Sequence, residues 1–195
     1  MSKLVCGVGF NDKTRPAWVD GKPVKEYDLW QNMLNRCFSE KLQTRYPTYK
    51  GCSVSDNFLN YSFFYDWCHK QIGFGRVDEK GRSWCLDKDL LFAGNKTYSE
   101  TTCVFVPNEM NLFFTDSGAI RGNYPLGVYF NKRDGKFVAQ CAVNGKRQHL
   151  GLFNTPQEAF AVYKPFKEDL CKQLALKWKS EIDIRLFNAM MNWSV

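Results

Sequence analysis

The sequence predicts an α+β protein. Two apolar stretches at helical spacing lie in the first seventy residues. Short β-branched and aromatic segments, cut by Asp-Gly and Asn-Gly turns, fill 127–153, and a long amphipathic stretch with a helix-start signal follows them directly. Apolar residues make up 44% of the 195 and aromatics 16%, enough to bury a core and too much for a disordered chain. The length accommodates two small domains. No apolar run is long enough to span a bilayer, and the opening MSKLVCGVGF lacks the charged-then-apolar layout of a secretion signal. The expectation is therefore a soluble intracellular protein with no membrane partner.

Residues 1–26 hold Gly7, Gly9, Pro16, Gly21 and Pro23 with little periodicity and read as irregular or short-stranded. Over 26–38 the residues Tyr27, Leu29, Trp30, Met33, Leu34 and Cys37 recur at helical spacing, which predicts an amphipathic helix. A polar loop runs to Gly51. A second helix over 57–68 places Phe58, Tyr61, Phe64, Tyr65 and Cys68 on one side, an aromatic set suited to a core. The stretch 83–91 alternates as a half-buried strand does, 93–102 is loop-like, 102–106 is β-branched and aromatic, and 107–114 opens a short helix. Residues 117–124 read as a linker between a domain at 1–116 and one at 125–179, and 180–195 as an apolar, helix-like tail.

In the second half, GVYFN (127–131) and KFVAQCA (136–142) flank Asp134-Gly135, and Asn144-Gly145 leads into RQHLGLF (147–153). Such turns join antiparallel strands, so a three-stranded sheet follows. Thr155, Pro156 and Glu158 form a capping box with proline at the first helical position, and the helix should run to about residue 177. One sheet face must pack on that helix, which leaves Tyr129, Asn131, Gln140, Arg147 and His149 pointing outward, with Arg133, Lys136 and Lys146 at the turns. Cations, amides and an aromatic on one face are what phosphate contacts and base-edge reading require. The charge agrees: residues 1–116 carry 15 basic against 14 acidic side chains, 117–180 carry 11 against 4, and 181–195 carry 1 against 2. The net +7 thus sits in one basic segment, the footprint of a polyanion binder or of a solvated face.

The eight cysteines include no C-x-x-C pair, so zinc is not the expected cofactor, and they read as reduced, mostly buried thiols.

The stretch from Gly127 to Tyr163 resembles the AP2 DNA-binding domain, with Gly127, Val128, Lys136, Ala139, Leu150, Gly151, Phe153, Thr155, Glu158, Ala159 and Tyr163 in step with that pattern. The likeness implies a sheet that docks in the major groove. Where plant-type members carry arginines and tryptophans, this chain has Tyr129, Asn131 and Gln140, so their target sequence does not carry over. LDKDLLFAGNKTYSETTCVFVPNEMN, from Leu86 to Asn111, resembles the strand, loop, strand, helix (ββα) core of phage HNH proteins, many of which carry an AP2 module behind it. WQNMLNRCF, YKGCSV and FFYDWC, ahead of that core, are similar to the same group.

That resemblance implies a homing or nicking endonuclease of a bacteriophage, a DNA hydrolase working in the cytoplasm of an infected bacterial host. Such a site needs a divalent metal, here Mg²⁺, and a base that activates water. The family offers Asp-His on the first strand, and this chain has Asp87-Lys88; a lysine of ordinary pKa is protonated at neutral pH. Asp87 and Lys88 are the catalytic candidates, and Asp87, Asp89, Asn95, Asn108 and Asn111 the candidate oxygen ligands. Turn and strand-end hydrogen bonds are an equal alternative for the aspartates, helix capping for Asn108 and Asn111, and phosphate contact for Lys88. Two other functions stay open: a DNA-binding or regulatory protein that has lost catalysis, and a phage protein that binds a host protein. The tail either packs back or joins two copies into a homodimer.

Overall fold

The computed structural model describes residues 4–115, 123–143 and 145–195. The predicted linker falls largely outside these residues, as does Asn144. The chain is mixed α+β and divides into two compact units: one from residues 1–111 with Glu181–Leu186, the other from Leu112–Ser180 with Phe187–Val195. The 180–195 tail, expected as one piece, is thus shared between them. It forms a helix at Ile184–Met191, numbered α7 below.

In the first unit a two-residue hairpin, β1 (Trp18–Val19) and β2 (Lys22–Pro23), precedes α1 (Lys25–Phe38). Its apolar stripe of Trp30, Met33, Leu34 and Cys37 is buried as its spacing predicts. Next come α2 (Glu40–Arg45), a 3₁₀ turn at Pro47–Tyr49 and β3 (Ser53–Val54). The helix expected over 57–68 is instead two, α3 (Asp56–Leu59) and α4 (Tyr61–Lys70). Two contacts explain the break. The Phe10 backbone bonds to both sides of Asn60, accepting from the Tyr61 N–H at 2.9 Å and donating to the Leu59 carbonyl at 2.8 Å. Asn60, held extended, caps α4 by accepting from the Phe63 N–H. Trp30, Phe58, Tyr61, Phe64 and Phe105 fill the core, and the Trp30 indole N–H reaches the Phe58 carbonyl at 2.7 Å.

The strand expected over 83–91 is only β4 (Cys85–Asp87). It ends where Asp87 Oδ1 accepts the backbone N–H groups of Asp89 and Leu90, each at 2.9 Å, turning the chain out of the ladder. β4 pairs antiparallel with β6 (Val104–Val106), and α5 (Asn108–Phe113) follows. The intervening loop is not wholly irregular: β5 (Thr97–Tyr98) pairs in parallel with the distant β3.

The second unit holds the sheet β7-β8-β9 (Val128–Asn131, Lys136–Val143 and Lys146–Phe153), antiparallel throughout, and α6 (Pro156–Trp178). The capping box forms as predicted: Thr155 Oγ1 accepts the Glu158 N–H at 3.1 Å, and Glu158 accepts the Thr155 N–H at 3.3 Å. Val128, Ala139, Cys141, Ala159 and Tyr163 are the buried centre, with Phe137, Leu150, Phe153, Phe166 and Leu170 packed around it. Lys167 is buried among these residues. Its ammonium donates to the Phe113 carbonyl at 2.9 Å and lies 3.3 Å from the Phe113 ring centroid. No helix of the described residues is long and apolar enough to cross a membrane.

Candidate nucleic-acid interface and carboxylate site

Strand register decides what the sheet presents. Directly paired residues share a face, so Tyr129, Val138 and Leu152 form one row, Asn131 and Lys136 a second, Gln140 and His149 a third, and Ala142 and Arg147 a fourth. All four rows lie on the face opposite Phe137, Ala139 and Cys141, which pack on α6. The outward set expected from the sequence is therefore brought together.

One irregularity makes this so. Pairing shifts between Ala139 and Gln140, whose partners are Gly151 and His149, so Leu150 is an extra residue on β9. Strict alternation back from the inward Phe153 would turn Arg147 and His149 towards the helix. The bulge flips them outward, and Leu150 joins the core instead. Lys146, paired with Val143, falls on the helix side by alternation and is exposed at the strand end, apart from the outer rows.

The other candidates on the sheet differ in how free they are. Tyr129 is 46% exposed and Leu152 45%. The Arg133 side chain projects into solvent at 92% exposure, 3.5 Å from Asp134. Asn131 is engaged in the turn: its amide donates to Asp134 at 2.6 Å and its carbonyl accepts the Arg133 N–H. It shapes the hairpin end rather than offering a free amide.

The second candidate site surrounds the end of β4. Burial pushes the Asp87 carboxyl up to about 6, with the neighbouring Asp89 adding to the effect, against the downward pull of its two backbone N–H donors. Lys88 is 8% exposed, donates to Asp89 at 3.0 Å and lies 5.6 Å from the Tyr98 ring. Asn95 ties the loop together, donating to the carbonyls of Lys88 at 2.6 Å and Thr97 at 2.8 Å and accepting the Thr97 N–H. Asn108 donates to the Ser83 carbonyl at 2.9 Å and accepts from the Cys85 thiol.

The five candidate oxygen ligands for Mg²⁺ are spread over the end of β4, the loop after it and α5. Asn95 and Asn108 spend their amides on the loop and hairpin, and Asn111 sits further along α5. Asp87 and Asp89 fit a hard cation by chemistry, but the Lys88 ammonium already occupies Asp89 and opposes a second positive charge. Among the described residues no group of three or more His, Cys, Asp or Glu side chains is gathered.

All eight cysteines are free thiols, six of them buried, and burial pushes those of Cys37, Cys103 and Cys171 up to about 12. His69 bonds Glu26 at 2.7 Å and packs against Tyr65 and Phe74, a structural placement. Sequence reasoning missed Arg36 and Tyr98, whose side chains meet at 3.4 Å beside Lys88. Arg36 lies on the last turn of α1, and only the β3–β5 pairing, invisible to periodicity, brings Tyr98 to it.

Comparison with protein-family models, with curated proteins and with solved structures finds no match for the chain.

Proposed function

We propose that the protein binds double-stranded DNA by laying the outer face of β7-β8-β9 into the major groove. The carrying observation is the register: Lys136, Arg147, His149, Gln140 and Tyr129 stand on one face, away from the helix. Arginine and histidine reach phosphates or guanine edges, glutamine reads adenine, and the exposed Tyr129 and Leu152, flanking the buried Val138, offer apolar contact to thymine methyls. Arg133, 92% exposed at the hairpin tip beside Asp134, is placed for a phosphate. The surplus of basic over acidic side chains in 117–180 supports the same polyanionic partner. The AP2-like residues fit a groove-docking sheet.

A salt titration of duplex binding, followed by fluorescence anisotropy on the full chain, tests this. Arg147→Ala should weaken binding by about tenfold, and Arg133→Ala should lower the salt slope by about one. If both variants bind as the parent does at every salt concentration, the docking face is wrong.

A second reading, Mg²⁺-dependent nicking by an HNH-like core, has one observation in its favour: Asp87 is a half-buried carboxyl with a raised pKa at the end of an antiparallel strand pair that leads into a helix. Lys88 on Asp89 weighs against it and favours a DNA-binding protein without catalysis. Supercoiled plasmid incubated with Mg²⁺, Mn²⁺ or EDTA separates the two. Metal-dependent nicking that vanishes in Asp87→Ala, with duplex binding intact, establishes the nuclease.

A further inference from the structure

The first unit carries a second basic and aromatic surface, independent of the sheet. Between Glu40 and Asp56 the chain has Lys41, Arg45 and Lys50 and no acidic residue. All three are exposed on α2 and the turn that follows, as is Tyr46 at 45%. A fourth cation arrives from the β5 side, where Lys96 donates to the Thr48 carbonyl at 2.8 Å and the Ser53–Thr97 pairing anchors it. Among the described residues Lys41, Arg45 and Lys50 make no ion pair.

These groups continue inward as a chain of contacts, with Tyr46 and Tyr49 meeting edge-on. The Arg45 guanidinium lies 5.3 Å from the Tyr46 ring, Tyr46 lies 6.3 Å from Tyr49, and Arg36 lies 5.4 Å from Tyr49. Arg36 then reaches the Tyr98 hydroxyl, with Lys88 against the Tyr98 ring. Acidic groups flanking this track include Glu40 at the start of α2 and, at the far end, Asp87 and Asp89, the latter paired with Lys88.

We infer that this edge binds single-stranded nucleic acid, with backbone phosphates on Lys41, Arg45, Lys50 and Lys96 and a base stacked on Tyr46. Unpaired cations beside an exposed ring already held in place by its neighbours are the two parts such a site needs. A duplex keeps its bases stacked on each other and offers Tyr46 nothing to cover, so the ring selects the single strand. An acidic peptide would satisfy the cations and leave the ring unused.

Anisotropy with a fluorescein-labelled oligothymidylate and, in parallel, a labelled duplex tests this on the full chain. The combined variant Lys41→Ala, Arg45→Ala, Lys50→Ala should weaken oligothymidylate binding at least about tenfold. Tyr46→Ala should weaken it about five- to tenfold, and Tyr46→Phe, which keeps the ring, should restore it. Duplex binding should stay within about twofold in all three, while Arg147→Ala does the reverse. Unchanged oligothymidylate binding in the combined variant, or in Tyr46→Ala, overturns the inference. So does an equal loss on both probes in Arg147→Ala, which would put the single strand on the sheet. If duplex binding is absent from the parent but the oligothymidylate results hold, the sheet reading falls and this one stands.

Discussion

Asp87 shows how one side chain serves a turn at a cost set by pH. Its carboxyl accepts two backbone N–H groups that end β4, yet burial and Asp89 favour its protonated form. Because the folded-state pKa of about 6 lies above the ordinary carboxylate value, its contribution to stability is fully present below about pH 4. That contribution is lost as pH rises through about 6. Asp87→Asn keeps an oxygen acceptor and removes the ionisation. Its thermal midpoint should therefore fall less than the parent's between pH 4 and 7, a difference on the order of 2 kcal/mol. Parallel pH profiles of parent and variant would mean that Asp87 ionises freely.

Turn and cap chemistry governs the elements of the second unit. Gly127 has φ +74°, and a Cβ there would meet the Tyr163 ring at 2.0 Å. Gly127→Ala should therefore destabilise the sheet–helix packing by roughly 3 kcal/mol or more, read as a lower denaturant midpoint. Thr155→Ala removes one arm of the capping box and should cost about 1 kcal/mol, fraying the start of α6 in hydrogen exchange. The β9 bulge is the most consequential element-scale feature. Gly151, at φ +145° with the Phe153 ring 2.8 Å from where its Cβ would sit, permits the register shift that turns Arg147 and His149 outward. Gly151→Ala should lower duplex affinity along with stability, whereas Thr155→Ala should lower stability alone.

At the scale of the whole molecule, two units carry two different surfaces: a sheet face of cations and amides, and an Arg–Tyr edge on α2. Much of the second unit was legible in the sequence. Asp134-Gly135, Asn144-Gly145 and the Thr155–Glu158 box are local signals whose chemistry acts within four residues, and strands and helix form where those signals place them. The first unit was legible only in part. Helix α1 follows its own periodicity, but the α3–α4 break depends on Phe10, about fifty residues from Asn60, and β5 exists only because β3 meets it. The hydrogen bonds of the candidate oxygen ligands were illegible for the same reason: the amides of Asn95 and Asn108 donate to the carbonyls of Lys88, Thr97 and Ser83 through loop closure, which their own positions do not announce.

The sequence by itself determined the α+β class, the antiparallel three-stranded sheet with its capped helix, and the location of the charge surplus, because hydrophobic period, turn residues and charge all act at short range along the chain. The tertiary structure alone decided which face of β9 looks outward, which amides remain free, and that Arg36, Tyr49 and Tyr98 meet. Those outcomes turn on a one-residue register shift and on pairings between distant segments, and a single inserted residue reverses every side chain beyond it.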